Sequence, residues 1–179
     1  MTRYIALLRG INVGGITIKM ADLAEAVAAL GHTGVTTILA SGNVVFESDQ
    51  TDVAALKTDL ELALSERFGY DAWVVLLTSG ELAAAVDAYP FDDRDGWHSY
   101  ILFASQPAVL DELVQAAPKL DPLDENVQPG ESLLYWQVRR EVGIKSPFST
   151  LSAKARFKSS TTNRNLRTLR KILAVPPAR

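Results

Sequence analysis

Residues 1–78 carry short apolar runs and helix-spaced apolar stripes in the order β-α-β-β-α-β, and this succession restricts the fold more than any other feature of the chain. The run RYIALLR at 3–9 reads as a buried strand stopped by Gly10, and a glycine-punctuated loop occupies 10–18. Met20, Leu23, Val27 and Leu30 recur at helical spacing, with Gly31 just past the end as a stop. VTTILA at 35–40 and Val44–Glu47 flank Ser41-Gly42-Asn43, which predicts a hairpin. Asp52–Phe68 is the longest helix, with Val53, Leu56, Leu60, Leu64 and Phe68 on one face and Gly69 at its end. AWVVLL at 72–77 supplies a fourth strand. A four-stranded sheet with two helices on one face buries both helical stripes, which is the ferredoxin-like split β-α-β arrangement.

The second half is less regular. Thr78 and Glu81 have capping-box spacing and open a helix to about Ala88, where Pro90 breaks it. A strand at 98–105, a helix at 107–117 and two strands at 125–128 and 132–139 around Pro129-Gly130 follow. A short helical stretch near 149–156 and a final helix from about Asn165 to Ala174 complete the chain. The expected class is α+β: two ferredoxin-like halves, the second imperfect, with a C-terminal helix. The halves are expected at 1–78 and 79–179 within one compact unit. The segment 88–97 is the linker candidate, and no clear sequence repeat relates the halves.

Absence of cysteine excludes disulfides, thiolate catalysis and cysteine-ligated metal centres, and fits a reducing compartment. His32 and His98 are the only histidines, too few for a usual catalytic zinc site, and H-E-x-x-H is missing. Asp92-Asp93-Arg94-Asp95-Gly96 lacks the spacing of a calcium loop, so no metal and no cofactor are expected. No apolar run approaches the roughly 18 residues of a membrane span, and the first dozen residues show no signal-peptide pattern. The expectation is a cytoplasmic protein.

The net charge of −3 is unevenly spread. Residues 1–138 hold 7 Lys+Arg against 20 Asp+Glu, a net −13, whereas 139–179 hold 11 basic groups and only Glu141, a net +10. A basic C-terminal block suggests a phosphate or nucleic-acid partner, unless it folds back and complements the acidic body. The chain's overall acidity argues against broad nucleic-acid binding.

Arg9-Gly10-Ile11-Asn12-Val13-Gly14-Gly15 follows a buried strand and precedes a helix, a placement that suits an anion. Gly10 and Gly15 match the glycine spacing of a Walker A loop, but Ile16-Thr17 replaces its lysine and hydroxyl pair. It is not a dinucleotide fingerprint either, since Asn12 stands at the second glycine. Arg9 and Lys19 flank the loop. The hairpin turn carrying Ser41 and Asn43 is expected at the same edge of the sheet. Thr161-Thr162-Asn163-Arg164-Asn165 reads as a loop capping the last helix, with Arg164 and Asn165 in its first turn as further anion ligands. Trp73, Tyr100, Tyr135 and Trp136 read as core or sheet packing, and His98 as a structural histidine.

YIALLRGINVGG at 4–15, Lys19-Met20, SGNVVF at 41–46, Pro90-Phe91 and TTNRN at 161–165 together resemble the bacterial domain of unknown function family 1697. The resemblance runs from the first strand to the last helix. It implies a single-chain α+β fold of two ferredoxin-like halves and, because the family has no established activity, no reaction. Its signature positions fall on Arg9, Gly10, Asn12, Gly14, Gly15, Ser41, Gly42, Asn43, Arg164 and Asn165. Leu166 stands where family members tend to carry a tryptophan after Arg-Asn, which counts against stacking there.

Three functions are compatible with this reading. The first is a site for a phosphate- or carboxylate-bearing small molecule. In it Arg9, Lys19 and Arg164 supply charge, Asn12, Ser41, Asn43 and Asn165 orient, and Gly10, Gly14 and Gly15 offer backbone donors. The second is a nucleic-acid module using residues 139–179, and the third a structural or protein-interaction module. No general base with an activating partner is visible, so no catalytic residue is assigned and an enzymatic role stays open.

Overall fold

Thr2–Leu8 forms β1, the centre of a four-stranded antiparallel sheet in the order β2-β3-β1-β4. The neighbours are β2 (Thr33–Ile38), β3 (Asn43–Ser48) and β4 (Val74–Thr78). The computed structural model describes residues 1–12 and 16–177. The chain divides into two compact units, Met1–Ala84 with Arg170–Arg179, and Ala85–Leu169.

In the first unit, alternation along the strands sends Tyr4, Ala6 and Leu8 of β1 and Val44 and Phe46 of β3 to one face. Against that face pack Leu23, Ala26 and Val27 of α1 (Met20–Ala28) and Leu56, Leu60 and Leu64 of α2 (Val53–Phe68). Each leucine buried there contributes about 1.5–3 kcal/mol relative to exposure. Asp52 caps α2 by accepting from the Ala55 N–H at 3.0 Å, and Gly69 ends it in the left-handed conformation at φ 67°. Val53, expected on the apolar stripe, is 43% exposed, and the buried stripe of α2 is Leu56, Leu60 and Leu64. The capping box at the start of α3 (Ser79–Asp87) is formed: Glu81 accepts from the Thr78 N–H at 2.7 Å, and Thr78 Oγ1 from the Glu81 N–H at 3.2 Å.

The second unit repeats the architecture. Its antiparallel sheet has the order β6-β7-β5-β8, from β5 (Trp97–Ala104), β6 (Glu125–Pro129), β7 (Leu133–Arg139) and β8 (Thr161–Asn165). Leu102, Leu134, Trp136 and Val138 of that sheet pack with Leu110 and Leu113 of α4 (Pro107–Val114), Phe148 of α5 (Pro147–Ser152) and Phe157 of α6 (Ala155–Lys158). The final helix, α7, spans Leu166–Leu173. The protein is therefore α+β, built of two similar halves, each with a four-stranded antiparallel sheet and helices.

One element departs from the sequence expectation. Residues 161–165 are not a capping loop but the edge strand β8, paired with β5 from Tyr100↔Asn165 to Ala104↔Thr161. Thr-Thr-Asn-Arg-Asn shows no apolar alternation; cross-strand pairing with an apolar partner holds it extended. Arg164 and Asn165 thus lie in a strand, and of this segment it is Asn165 that caps α7, accepting from the Arg167 N–H at 2.9 Å.

His32, between α1 and β2, lies with its ring centroid 4.8 Å from that of Phe46. Its Nε2 is buried without a hydrogen-bond partner among the described residues. Burial holds the imidazole below its ordinary range, partly opposed by Asp59. The unfolded chain therefore takes up a proton that the folded one resists, and stability falls as pH drops below about 6.5. The melting temperature is expected to decline from about pH 7 to 5.5, and His32→Gln to flatten part of that slope. Identical slopes in thermal melts of the two proteins would remove His32 from the explanation.

Candidate functional site

Where β1 ends, the chain meets the β2–β3 hairpin. The Leu8 N–H donates to Gly42 O at 2.8 Å and the Arg9 N–H to Trp73 O at 3.1 Å. Gly10 and Asn12 then turn the chain through left-handed backbone, with φ 72° and 56°. Asparagine tolerates that region better than most side chains, and here its amide is fully used. Asn12 Nδ2 donates to Ala40 O at 2.7 Å and to Ile18 O at 3.1 Å, while Oδ1 accepts from the Ile18 N–H at 2.9 Å. The Asn12 N–H also donates to Ile16 O at 2.8 Å. One side chain thus clasps the loop's exit to its entrance and ties both to the hairpin.

The hairpin is held from within. Asn43 is fully buried, and its Nδ2 donates to Ile38 O at 2.7 Å and to Ser41 Oγ at 2.9 Å. Its role there is to close the turn. Gly42 sits so tightly that a Cβ would lie 2.6 Å from Ile11 Cδ1 and 2.9 Å from Leu8 Cβ. Ile11 and Ile18 anchor the two arms of the loop in the core. Arg9 is half-buried, Ser41 and Lys19 are exposed, and Lys19 stands at the N-cap position of α1 without a capping side chain. Burial holds the Arg9 guanidinium below its ordinary range.

Arg9, Gly10, Asn12, Lys19, Ser41 and Asn43 are therefore brought to one end of the first sheet. Gly14 and Gly15 lie outside the described residues. Arg164 and Asn165 belong to the second unit. Arg164 is 7% exposed, and burial pushes its guanidinium down to about 10. Its Nη1 donates to Thr162 Oγ1 at 2.8 Å and to Asn163 O at 3.0 Å, bonds made within its own strand. Among the side chains at the end of the first sheet, Arg9 and Lys19 are the cations and none is a carboxylate or an imidazole.

Sequence reasoning passed over Glu125, which is 1% exposed. Its Oε2 accepts from Trp136 Nε1 at 3.2 Å and its Oε1 from the Phe148 N–H at 3.0 Å. No local pattern marks it, because its partners lie 11 and 23 residues away. Among the described residues no cluster of three His, Cys, Asp or Glu is placed to hold a metal ion, and no helix is long and apolar enough to cross a membrane.

These features define a class: an α+β chain of two similar four-stranded halves, with a clasped glycine loop at the end of its first strand. The family model described as "Protein of unknown function (DUF1697)" matches residues 1–135, and the chain belongs to that family. It is similar over its length to a solved structure, the conserved bacterial protein SP0830 from Streptococcus pneumoniae. The two are 28% identical, with a TM-score of 0.79 and 97% of each chain covered. No curated protein matches it significantly.

Proposed function

We propose that this protein binds a small phosphate- or carboxylate-bearing ligand at the β1–α1 loop. Arg9 and Lys19 supply the charge, Ser41 orients the ligand, and the glycine-rich backbone at 10, 14 and 15 supplies N–H donors. The reading rests on the first unit's residues alone. The observation that carries it is the triple bond set of the Asn12 side chain, which holds the loop between two cations and lowers the ordering cost of binding. Asn12 and Asn43 are thereby positioning residues, and the reaction, if the ligand is transformed, has no assigned base. We read each half as ferredoxin-like and the protein as cytoplasmic, the latter on its lack of cysteine.

The test is a thermal-shift panel of nucleotides, phosphorylated metabolites and dicarboxylates on wild type, Arg9→Ala and Asn12→Ala. A compact anion at about 100 times its Kd adds roughly 2.7 kcal/mol, which raises Tm by about 5–11 °C at this chain length. Arg9→Ala is expected to abolish that shift. Asn12→Ala is expected to lower Tm of the free protein, losing about 2–3 kcal/mol for three bonds, and to weaken the shift as well. A panel silent for wild type overturns the reading. Shifts confined to oligonucleotides and fading with salt would favour the basic 139–179 block instead.

A further inference from the structure

Three basic side chains act on one another where β5 begins in the second unit. The β5–β7 register pairs His98 with Val138 and Trp97 with Arg139. The Arg140 N–H continues the ladder by one rung, donating to Gly96 O at 2.8 Å. Alternation therefore starts Arg140 on the same face as Val138 and His98. On the other flank the ladder ends where Tyr100 pairs with Asn165, and Arg167 follows in the first turn of α7, close enough for its charge to act on His98. The chain turns into α7 at Leu166, and Asn165 Oδ1 fixes this turn by holding the Arg167 N–H. His98 thus feels the charge of both arginines.

Three acids near the ends of β6 and β7 are engaged elsewhere. Arg139 takes Asp124 at 3.1 Å and Glu141 at 2.5 Å. Glu125, across Val138 on β6, gives its carboxylate to Trp136 and Phe148. The groups that act on His98 are burial, then Arg140, then Arg167, all three holding its imidazole below the ordinary range. Tyr100 closes one side, its ring centroid 6.0 Å from that of His98, stacked at 4.9 Å on Trp136 and hydrogen-bonded to Asn165. Arg140 and Arg167 are exposed and open to a ligand.

We propose that Arg140, Arg167 and His98 form a binding site for a compact phosphate group, free or carried on a small metabolite. Two guanidinium forks and an imidazole offer more donors than one carboxylate accepts, and a dianion converts their mutual repulsion into attraction. His98 protonates as the dianion binds, so affinity peaks near about pH 6, below which the phosphate itself takes up a proton. The site is built from the second unit's residues alone and does not depend on the reading of the β1–α1 loop.

The experiment follows the two histidine side chains by NMR while inorganic phosphate, ribose 5-phosphate or a short single-stranded oligonucleotide is titrated at fixed ionic strength. Phosphate or its monoester is expected to move His98 saturably and raise its titration midpoint by about one unit, leaving His32 unmoved. The tighter of the two identifies the source. Arg140→Ala and Arg167→Ala are each expected to weaken phosphate binding about tenfold. Each should also raise the His98 midpoint in the free protein, with an unchanged melting temperature reporting an intact fold. Arg9→Ala should leave the His98 response unchanged, which separates failure here from failure at the loop. The proposal is overturned by a His98 that moves no more than His32 does, or by a response to the oligonucleotide alone.

Discussion

Glu125→Ala is expected to cost about 4 kcal/mol and to lower the melting temperature by roughly 8–16 °C. The reason lies in what the carboxylate serves. The first turn of α5 opens with Ser146 as N-cap and Pro147, which has no N–H to satisfy. Ser146 Oγ takes the Ser149 N–H at 3.1 Å, and Ser146 O takes the Thr150 N–H at 3.0 Å. The Phe148 N–H is left, and Glu125 accepts it from the other side of the core at 3.0 Å. The same carboxylate accepts the Trp136 indole N–H. Truncation strands two buried donors, at about 1–3 kcal/mol each, and leaves a void besides. Glu125→Gln keeps the volume and one acceptor but turns an amide nitrogen toward a donor, so about half the loss is expected. Calorimetry of the three proteins checks the order. An alanine variant that melts with wild type would mean that neither donor depends on Glu125.

Gly42→Ala is expected to cost about 3 kcal/mol, or roughly 6–12 °C. Two penalties combine there. The left-handed φ of 77° costs a non-glycine residue about 1–2 kcal/mol. The added methyl would also meet Leu8 Cβ at 2.9 Å and Ile11 Cδ1 at 2.6 Å. Ile11 Cδ1 can swing aside, but Leu8 Cβ is fixed to β1, whose N–H at Leu8 is bonded to Gly42 O. Overpacking of this kind costs about 1–3 kcal/mol. Gly10→Ala is the matched control: φ is 72°, yet a Cβ there meets nothing within 4 Å. Only the backbone penalty applies, so Gly10→Ala should lose about half as much as Gly42→Ala. Equal melting temperatures for the two variants would show that the close approach of Leu8 carries no weight.

Much of the scaffold was legible before any coordinates, because its signals are local. The alternation in RYIALLR, the leucine spacing across 56, 60 and 64, the Thr78–Glu81 box and the glycine stops each depend on residues a few positions apart. The loop after β1 and the turn at 41–43 were likewise visible from their glycines and asparagines. What the letters did not disclose was how Asn12 and Asn43 are employed. Their type suits a ligand and a turn equally, and only the positions of Ile18, Ala40 and Ile38 show the amides spent on holding the backbone.

The sequence by itself determined the order of the elements in the first half, the class of the fold and the position of its most unusual loop. Those follow from side-chain periodicity and from backbone conformations that glycine and asparagine adopt at least cost. Tertiary structure alone decided that the polar run at 161–165 is an edge strand, since its hydrogen bonds come from β5, about sixty residues earlier. It alone seated Glu125 against the first turn of α5 and brought the charges of Arg140 and Arg167 to bear on His98. Cross-strand register brings distant positions together, and register is settled by how the whole sheet packs, which no short window of sequence contains.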